Sequence, residues 1–304
     1  NKVKKPLMDA QYQQDFIKAG QIAKEVRAFG KSLIIPGASY NQVIEQIRNK
    51  IKQLGAIPAF PPQIAPNFIA AHYLPEPGVD MIFSNELLKL DVGICVNGAI
   101  GDCAGTVDLS GKYQHLIDAA EAALAAAEKM VKVGVTVSEI GAVIEQTIAS
   151  FGLQPIRNLT GHGLGKFQVH TAPHFPNYKD NSNYVLKPGM TFAIEPFATT
   201  GTGWIYDAGG PTIFSLDKKT KQYSGLVGDV YEIAKSLGGL PFCTHDLLTE
   251  KTPVDVVKKA LKLLIKEKVI TGYAPLIEET KGFVAQAENS FLIDEAGHVF
   301  ITTR

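Results

Sequence analysis

Two carboxylates occupy a stretch of the chain in which nearly every other side chain is apolar or small. The stretch is KLDVGICVNGAIGDCAGTV, from Lys89 to Val107, and its carboxylates are Asp91 and Asp102. The Asn97-Gly98 pair between them is a strong hairpin signal, so we expect two buried antiparallel strands that face each other. Burying an ionised carboxylate without a partner costs several kcal/mol or more. Some other group must therefore neutralise these two residues.

Three further polar residues lie in or beside strand-like sequence: His162, Glu195 and Glu288. Taken one at a time, a buried carboxylate is more often hydrogen bonded to the backbone or to an arginine than bound to a metal. Few basic residues lie near these carboxylates in sequence, however, and four of them converging without cations would repel one another. A bound divalent metal removes that difficulty.

The chemistry of this ligand set narrows the choice of metal. Oxygen-rich ligation with one imidazole suits Mn²⁺, Fe²⁺ or Co²⁺ better than a structural zinc held by thiolates. Five ligands cannot saturate two ions separately, so some carboxylates are expected to bridge them. The sequence therefore predicts a pair of ions like those of hydrolytic two-metal sites.

An internal repeat indicates how these residues are positioned. Residues 34–58 and 131–155 match at an offset of 97, each with an amphipathic helix that is closed by a glycine, Gly55 or Gly152. A longer helix precedes each unit, at roughly 9–32 and 113–130, and strand-like sequence follows. Because this period is too long for a solenoid, we expect one domain built from two related halves, with the site where the halves meet.

The second half is interrupted at about residues 208–272. The interruption contains TPVDVVKKALKLLIKEKVI, in which Thr252 is expected to cap a helix and Pro253 to occupy its first position. We therefore predict a small helical insert subdomain within a single domain that spans residues 1–304.

The composition excludes several classes of protein. The chain has thirty basic and thirty acidic residues, so its formal charge is zero. This balance gives no indication of nucleic acid or an anionic membrane as a partner. The three cysteines have neither a disulfide pattern nor metal-type spacing. No run of eighteen apolar residues and no signal peptide is evident, so we expect a cytoplasmic protein. GHGLGK does not fit the phosphate-binding P-loop pattern.

Taken jointly, five motifs resemble those of type II methionine aminopeptidases, and the resemblance covers nearly the whole chain. The motifs are FIAAHYLP, LDVGICVNGAIGDCAGTVDL, PIRNLTGHGLGKFQVH, FAIEPFATTGTG and GFVAQAEN. The resemblance implies an α/β pita-bread fold, with two pseudo-symmetric halves around a central antiparallel sheet and an insert between the last two motifs. The short N-terminal segment is similar to that of archaeal members.

The resemblance also assigns roles to individual residues. The metal ligands fall on Asp91, Asp102, His162, Glu195 and Glu288, and they imply two divalent ions, with Co, Mn, Fe, Ni and Zn left open. His72 is placed near the scissile amide nitrogen and His170 near the carbonyl oxygen, where each can bind substrate and assist catalysis. Glu195 is the expected proton shuttle for a metal-bridging hydroxide. The methionine pocket is expected to be walled by Phe60, Leu159, Val169 and Tyr273, which without the resemblance would be read as plain core.

The implied substrates are nascent polypeptides that begin with methionine, with the ribosome left open as a partner and a monomer expected. Four histidines match no motif and are expected to be structural: His115, His174, His245 and His298. Departures from the family occur at 75–80, at 171–177, and after Glu288, where Asn289 and Ser290 replace the usual His-Thr and are expected to loosen support of that carboxylate. Two alternatives are a prolidase or aminopeptidase P of the same fold, and a non-catalytic relative that has lost its metals.

Overall fold

The computed structural model describes residues 8–217 and 222–304. Six α-helices lie in this part of the chain: α1 Ala10–Leu33, α2 Tyr40–Gln53, α3 Gln114–Met130, α4 Val137–Ser150, α5 Gly225–Ser236 and α6 Val254–Lys266. A short 3₁₀ helix spans Thr244–Leu247.

The described residues also form eighteen strands, all paired antiparallel. The first half contains β1 Ile57–Pro58, β2 Gln63–Pro66, β3 Ile69–Ala71, β4 Leu87–Val96 and β5 Ala99–Asp108. The second half begins with β6 Gln154–Pro155, β7 Thr160–Gly165, β8 Gln168–Pro176, β9 Thr191–Ile194, β10 Phe197–Thr199 and β11 Ile205–Asp207. The chain continues through β12 Ile213–Leu216, β13 Phe242–Cys243, β14 Ile270–Tyr273, β15 Leu276–Glu278, β16 Val284–Gln286, β17 Asn289–Ile293 and β18 Val299–Ile301.

The predicted hairpin is confirmed. Strands β4 and β5 pair in continuous register from Leu87 opposite Asp108 to Val96 opposite Ala99. The two turn residues, Asn97 and Gly98, have φ values of 51° and 93°, as a tight two-residue hairpin turn requires.

The helices of the repeat are confirmed as well. Ser39 and Thr136 cap α2 and α4, each accepting a hydrogen bond from a backbone N–H of the first turn. Gly55 and Gly152 follow those helices with φ values of 74° and 73°, a left-handed conformation that glycine adopts without strain. Helices α1 and α2 pack with β4 in one apolar core, and α3 and α4 pack with β9 and β17 in another. The two halves therefore have matching layers, with helices behind strands.

The halves meet where β5 passes the residue that precedes β17. The first half has a four-stranded sheet of β1, β4, β2 and β5, and the second has a five-stranded sheet in the order β18-β17-β9-β7-β8. A single antiparallel bridge joins Ala104 to Glu288, through the Glu288 amide and the Ala104 carbonyl at 3.3 Å. This junction brings the strand of Asp102 beside Glu288.

The insert region is more than helical. Besides α5 and α6 it contains a three-stranded sheet in the order β13-β12-β14, which was not predicted, and these elements share an apolar core of their own. The predicted capping of α6 is wrong: Pro253 is the N-cap, and the buried Thr252 hydroxyl donates to the Leu247 carbonyl at 2.8 Å. Among the described residues, no helix combines the length and the apolar character needed to cross a membrane.

Candidate metal centre and active site

One cavity of about 360 Å³ brings together every residue that the sequence assigned to the site. Its lining includes Phe60, His72, Asp91, Asp102, Leu159, His162, Val169, His170, Glu195, Tyr273 and Glu288. The remaining lining residues are Gln63, Ala71, Asn158, Thr160, His174, Phe197, Ile213 and Pro241. The cavity lies where the two halves and the insert meet, since both halves and β12 and β14 contribute to its wall.

The hairpin and the second half supply what we call the carboxylate cluster: Asp91, Asp102, His162, Glu195 and Glu288. Asp91 pairs with Ala104 in the β4–β5 ladder, so Asp102 is its diagonal neighbour on the same face of the sheet. The His162 Nε2 atom lies 3.6 Å from a carboxylate oxygen of Asp102 and 3.6 Å from one of Glu195. Ligand atoms of Asp102, His162 and Glu288 all lie within 4.8 Å of one another. This is the spacing of groups that can share an ion.

Burial and mutual repulsion oppose ionisation of the four carboxylates. Burial raises the pKa of Asp91 to about 7. Burial, and then the neighbouring negative charges, raise the pKa values of Asp102, Glu195 and Glu288 well above the usual carboxyl range. Burial lowers the pKa of His162, which is therefore neutral and able to offer a lone pair to a metal.

Protein cations do not neutralise this cluster. Lys89, the nearest basic residue in sequence, is buried, which lowers the pKa of its amine well below the usual value. Its Nζ donates to the Asn67 carbonyl at 2.7 Å. Within residues 8–217 and 222–304, no lysine or arginine forms an ion pair with any of the four carboxylates.

Three carboxylate oxygens of the cluster are buried and without a hydrogen-bond partner among the described residues. They belong to Asp91, Asp102 and Glu288. Such atoms are costly unless a donor or a cation reaches them. Oxygen donors together with one neutral imidazole fit a divalent ion of the Mn²⁺, Fe²⁺ or Co²⁺ type, so the residues present suit a metal site.

Two further histidines reach the cavity. The rings of His162 and His170 lie 4.1 Å apart, and burial lowers the pKa of His170 to about 4. His170 is thus a neutral hydrogen-bonding group at physiological pH. His72 has a φ of 60°, which is rare for a residue with a side chain, and its buried Nδ1 has no partner in the described parts of the chain. The Thr212 hydroxyl donates to the His72 carbonyl at 2.6 Å and helps to hold this backbone.

The predicted pocket walls surround an apolar part of the cavity. Phe60 packs directly over Gly93, where an added Cβ would lie 2.2 Å from the ring, so this position needs glycine. Val169 is buried, and Tyr273 is 38% exposed with its ring 6.0 Å from that of His72. Leu159 is held by the Asn177 side chain, which donates to its carbonyl at 3.1 Å.

Sequence reasoning missed Gln63, Asn158 and Thr160, which line the cavity, and Gln286 beside it. Gln286 donates to Glu195 at 3.4 Å and also reaches Asp91, so it is a neutral link between two carboxylates. Its position two residues before Glu288 was the available signal, given the alternation of strand residues. His174, which was expected to be structural, also lines the cavity, and its Nδ1 lies 3.5 Å from the Thr160 hydroxyl. His298 instead pairs with Asp294 at the surface.

Comparison with known proteins adds three findings. Residues 14–240 match the model of Metallopeptidase family M24. A methionine aminopeptidase of Methanocaldococcus jannaschii is 37% identical over 299 residues, which cover 98% of this chain and 100% of that protein. One of Archaeoglobus fulgidus is also 37% identical, over 97% of this chain and 100% of that protein.

A solved structure with a similar fold is a thermophilic Arx1, with a TM-score of 0.84 at 14% identity, covering 97% of this chain and 91% of that one. The likeness to this structure shows the fold alone. It supports the pita-bread architecture that the sequence predicted.

Proposed function

Because the chain belongs to the methionine aminopeptidases of archaeal type within metallopeptidase family M24, we propose that it uses two divalent ions to remove the initiator methionine from nascent polypeptides. Metal-dependent removal of an N-terminal methionine is the activity of the family. The observation that carries the two-metal proposal is the carboxylate cluster, with four buried carboxylates, one neutral imidazole and unpartnered oxygens in a single cavity.

The five members of the carboxylate cluster would hold the ions, and Asp102 and Glu288 would be shared between them. Bound divalent ions would supply Lewis acidity and would make a water molecule in the site easier to deprotonate. Glu195 would accept and hold a proton at its carboxylate, since burial and the neighbouring carboxyl groups favour its protonated form. The free amine of the peptide is proposed to bind near Asp91, which restricts cleavage to the first residue.

The remaining polar groups act on the substrate. We propose that neutral His170 donates a hydrogen bond to the scissile carbonyl as negative charge develops on its oxygen. His72 lies across the cavity, beside Tyr273, and is proposed to assist the leaving amine. Phe60, Leu159, Val169 and Tyr273 offer an apolar wall without an ionic partner, which suits an unbranched thioether side chain.

Single-metal reconstitution tests this proposal. Metal-free protein is titrated with Mn²⁺, Co²⁺, Fe²⁺, Ni²⁺ or Zn²⁺ and assayed on peptides that begin Met-Ala or Met-Pro. We expect two ions per chain and release of free methionine. Asp118→Asn, an exposed carboxylate on α3, is the matched control for carboxylate substitutions in the cluster. A loaded protein that cleaves X-Pro bonds regardless of the first residue would indicate a prolidase instead, and a chain that binds no metal would indicate a non-catalytic relative.

A further inference from the structure

A second polar group lies behind Glu288, on the helix side of the sheet. It consists of Arg27, Glu128, Asn289, Thr303 and Arg304, and we call it the Arg27 cluster. Arg27, Glu128, Asn289 and Arg304 line a rear cavity of about 240 Å³ that is separate from the active-site cavity. Successive strand residues point to opposite faces, so Glu288 faces the active site while Asn289 faces this cluster.

The expectation that Asn289 and Ser290 loosen the Glu288 segment is not supported by their contacts. Both residues are buried. The Asn289 amide donates to Glu128 at 2.7 Å, and its oxygen accepts from the Thr303 hydroxyl at 2.8 Å. The Ser290 hydroxyl donates to the Asp102 carbonyl at 2.7 Å and accepts from the Asp102 N–H at 2.8 Å. Residues that differ from the family pattern are therefore firmly held here.

The strand of Asp102 and the segment of Glu288 have little backbone pairing with each other. Whereas β4 and β5 pair over their whole length, β5 meets the Glu288 segment at the single bridge between Ala104 and Glu288. The separation of the Asp102 and Glu288 carboxylates thus depends on side chains that span the junction.

Three side chains span it: Ser290, Thr106 and Arg27. Among these, Arg27 makes the most contacts. Its guanidinium donates to the Glu288 carbonyl at 2.7 Å, the Asn289 side-chain oxygen at 3.0 Å and the Ala104 carbonyl at 3.4 Å. It also donates to the Thr303 carbonyl at 2.8 Å. Nη1 makes the first three contacts with two N–H groups, so the long contact to Ala104 is shared, and Nη2 makes the fourth. A planar guanidinium presents its N–H groups in fixed directions, which an ammonium does not.

Given the proposed function, we infer that Arg27 is a positioning residue that fixes the spacing of the two bridging ligands, Asp102 and Glu288. It contacts the backbone on both sides of the junction and touches neither the metals nor the substrate. Residues that orient metal ligands typically change metal affinity or activity by about 10- to 100-fold when removed.

The test compares Arg27→Met with Lys31→Met in the metal-free protein titrated with Mn²⁺ by calorimetry. Lys31 lies one turn later on α1 and lines the same rear cavity, so it is a matched control. We expect Arg27→Met to weaken Mn²⁺ binding by about tenfold or more and to lower kcat at saturating Mn²⁺, with Lys31→Met within about twofold of wild type. Arg27→Lys keeps the charge and is not expected to restore affinity.

The free energy of unfolding of each metal-free variant separates positioning from general stabilisation. If Arg27→Met lowers that free energy but leaves the Mn²⁺ affinity of the folded protein unchanged, the inference is wrong. If Arg27→Met does not fold, the Mn²⁺ affinities of Arg27→Lys and Asn289→Ala decide the question in the same way. The titration uses Mn²⁺ or, if Mn²⁺ does not bind, whichever of the other four ions binds the wild type. Wild-type protein that binds none of the five ions would refute the proposed function, whereas an unaffected Arg27 variant of an active enzyme refutes only this inference.

Discussion

The two faces of the Glu288 segment carry polar groups in opposite states of pairing. On the front, three buried carboxylate oxygens of the carboxylate cluster have no hydrogen-bond partner among the described residues, and burial and the neighbouring carboxyl groups raise the pKa values of the cluster. On the rear, Arg304 pairs with Glu128, Arg27 donates to four oxygen acceptors, and Asn289 uses both ends of its amide. Both groups lie at the same junction, yet only the rear one is satisfied by groups of the protein itself.

This difference separates a ligand site from a structural network. Native proteins leave few buried polar atoms unpaired, so a concentration of them in one cavity indicates a group that the protein binds. A satisfied network instead holds its members in one arrangement. The carboxylate cluster, on the front, is therefore where metal chemistry is expected. The Arg27 cluster, on the rear, is what keeps the metal ligands in place.

The largest effect is expected from removing a bridging ligand on the front face. Asp102→Ala and Glu288→Ala are expected to lower activity by about 10³-fold or more, because the Lewis acid and the activated water are lost together. Metal content measured on the same samples is expected to fall for both ions, whereas Asp91→Ala is expected to weaken mainly one. Retention of two metals per chain by Asp102→Ala would contradict its bridging role.

The metal-free protein offers a second way to examine the front cluster, through the pH dependence of stability. Folding raises the pKa of Asp91 from 3.8 to about 7, so the folded state holds a proton that the unfolded state releases. That contribution to stability is complete below pH 3.8 and is lost as pH rises towards 7, by up to about 1.4 kcal/mol per pH unit. Asp91→Asn cannot titrate, so its stability relative to wild type is expected to increase over this range.

Chemical unfolding of both metal-free proteins at pH 4.5 and pH 7.5 measures this difference. Saturating Mn²⁺ is expected to abolish or reverse it, because the ions favour the ionised carboxylate. A difference in unfolding free energy that stays constant with pH would show that folding does not raise the pKa of Asp91 in the metal-free protein.

A smaller loss is expected at a group that contacts substrate rather than metal. His170→Ala is expected to lower kcat by about 10²-fold while metal content stays intact, since only stabilisation of the transition state is lost. Steady-state kinetics together with metal analysis check this. If metal is lost in parallel with activity, His170 is a ligand and the proposed role is wrong.

The front cluster could be predicted from sequence because its residues violate the pattern around them. Asp91 and Asp102 are carboxylates within apolar strands, and Asn97-Gly98 sets the register of those strands. Local sequence therefore indicates both the unusual residues and their relative placement. The helix ends of the repeat could also be predicted, because a glycine at the end of a helix is a local signal.

The rear cluster could not be predicted in this way. Arg27 and Glu288 are 261 positions apart, and nothing in the pattern of α1 distinguishes an arginine that enters a sheet junction from one on a solvated face. The sheet of the insert was missed for a related reason: β12, β13 and β14 are short, and their pairing is decided by tertiary contacts rather than by alternation. Local sequence indicates which groups are anomalous, but not which distant groups satisfy them.

The smallest expected effect concerns the apolar wall, where neither cluster acts directly. Phe60 lies over Gly93 at the edge of the cavity, so Phe60→Ala enlarges the space for the first side chain without removing a ligand. One methylene in an apolar pocket changes selectivity by about 10- to 200-fold, and a partly open pocket is expected to lie near the lower end. We therefore expect the ratio of kcat/KM for a bulkier first residue to that for methionine to rise about tenfold. Competitive hydrolysis of peptides that differ only in the first residue measures it, with metal content as the control. Peptides that begin with Lys or Asp are expected to remain poor substrates of both proteins, because the wall offers no ionic partner. Efficient cleavage after Lys would exclude this surface as the methionine pocket.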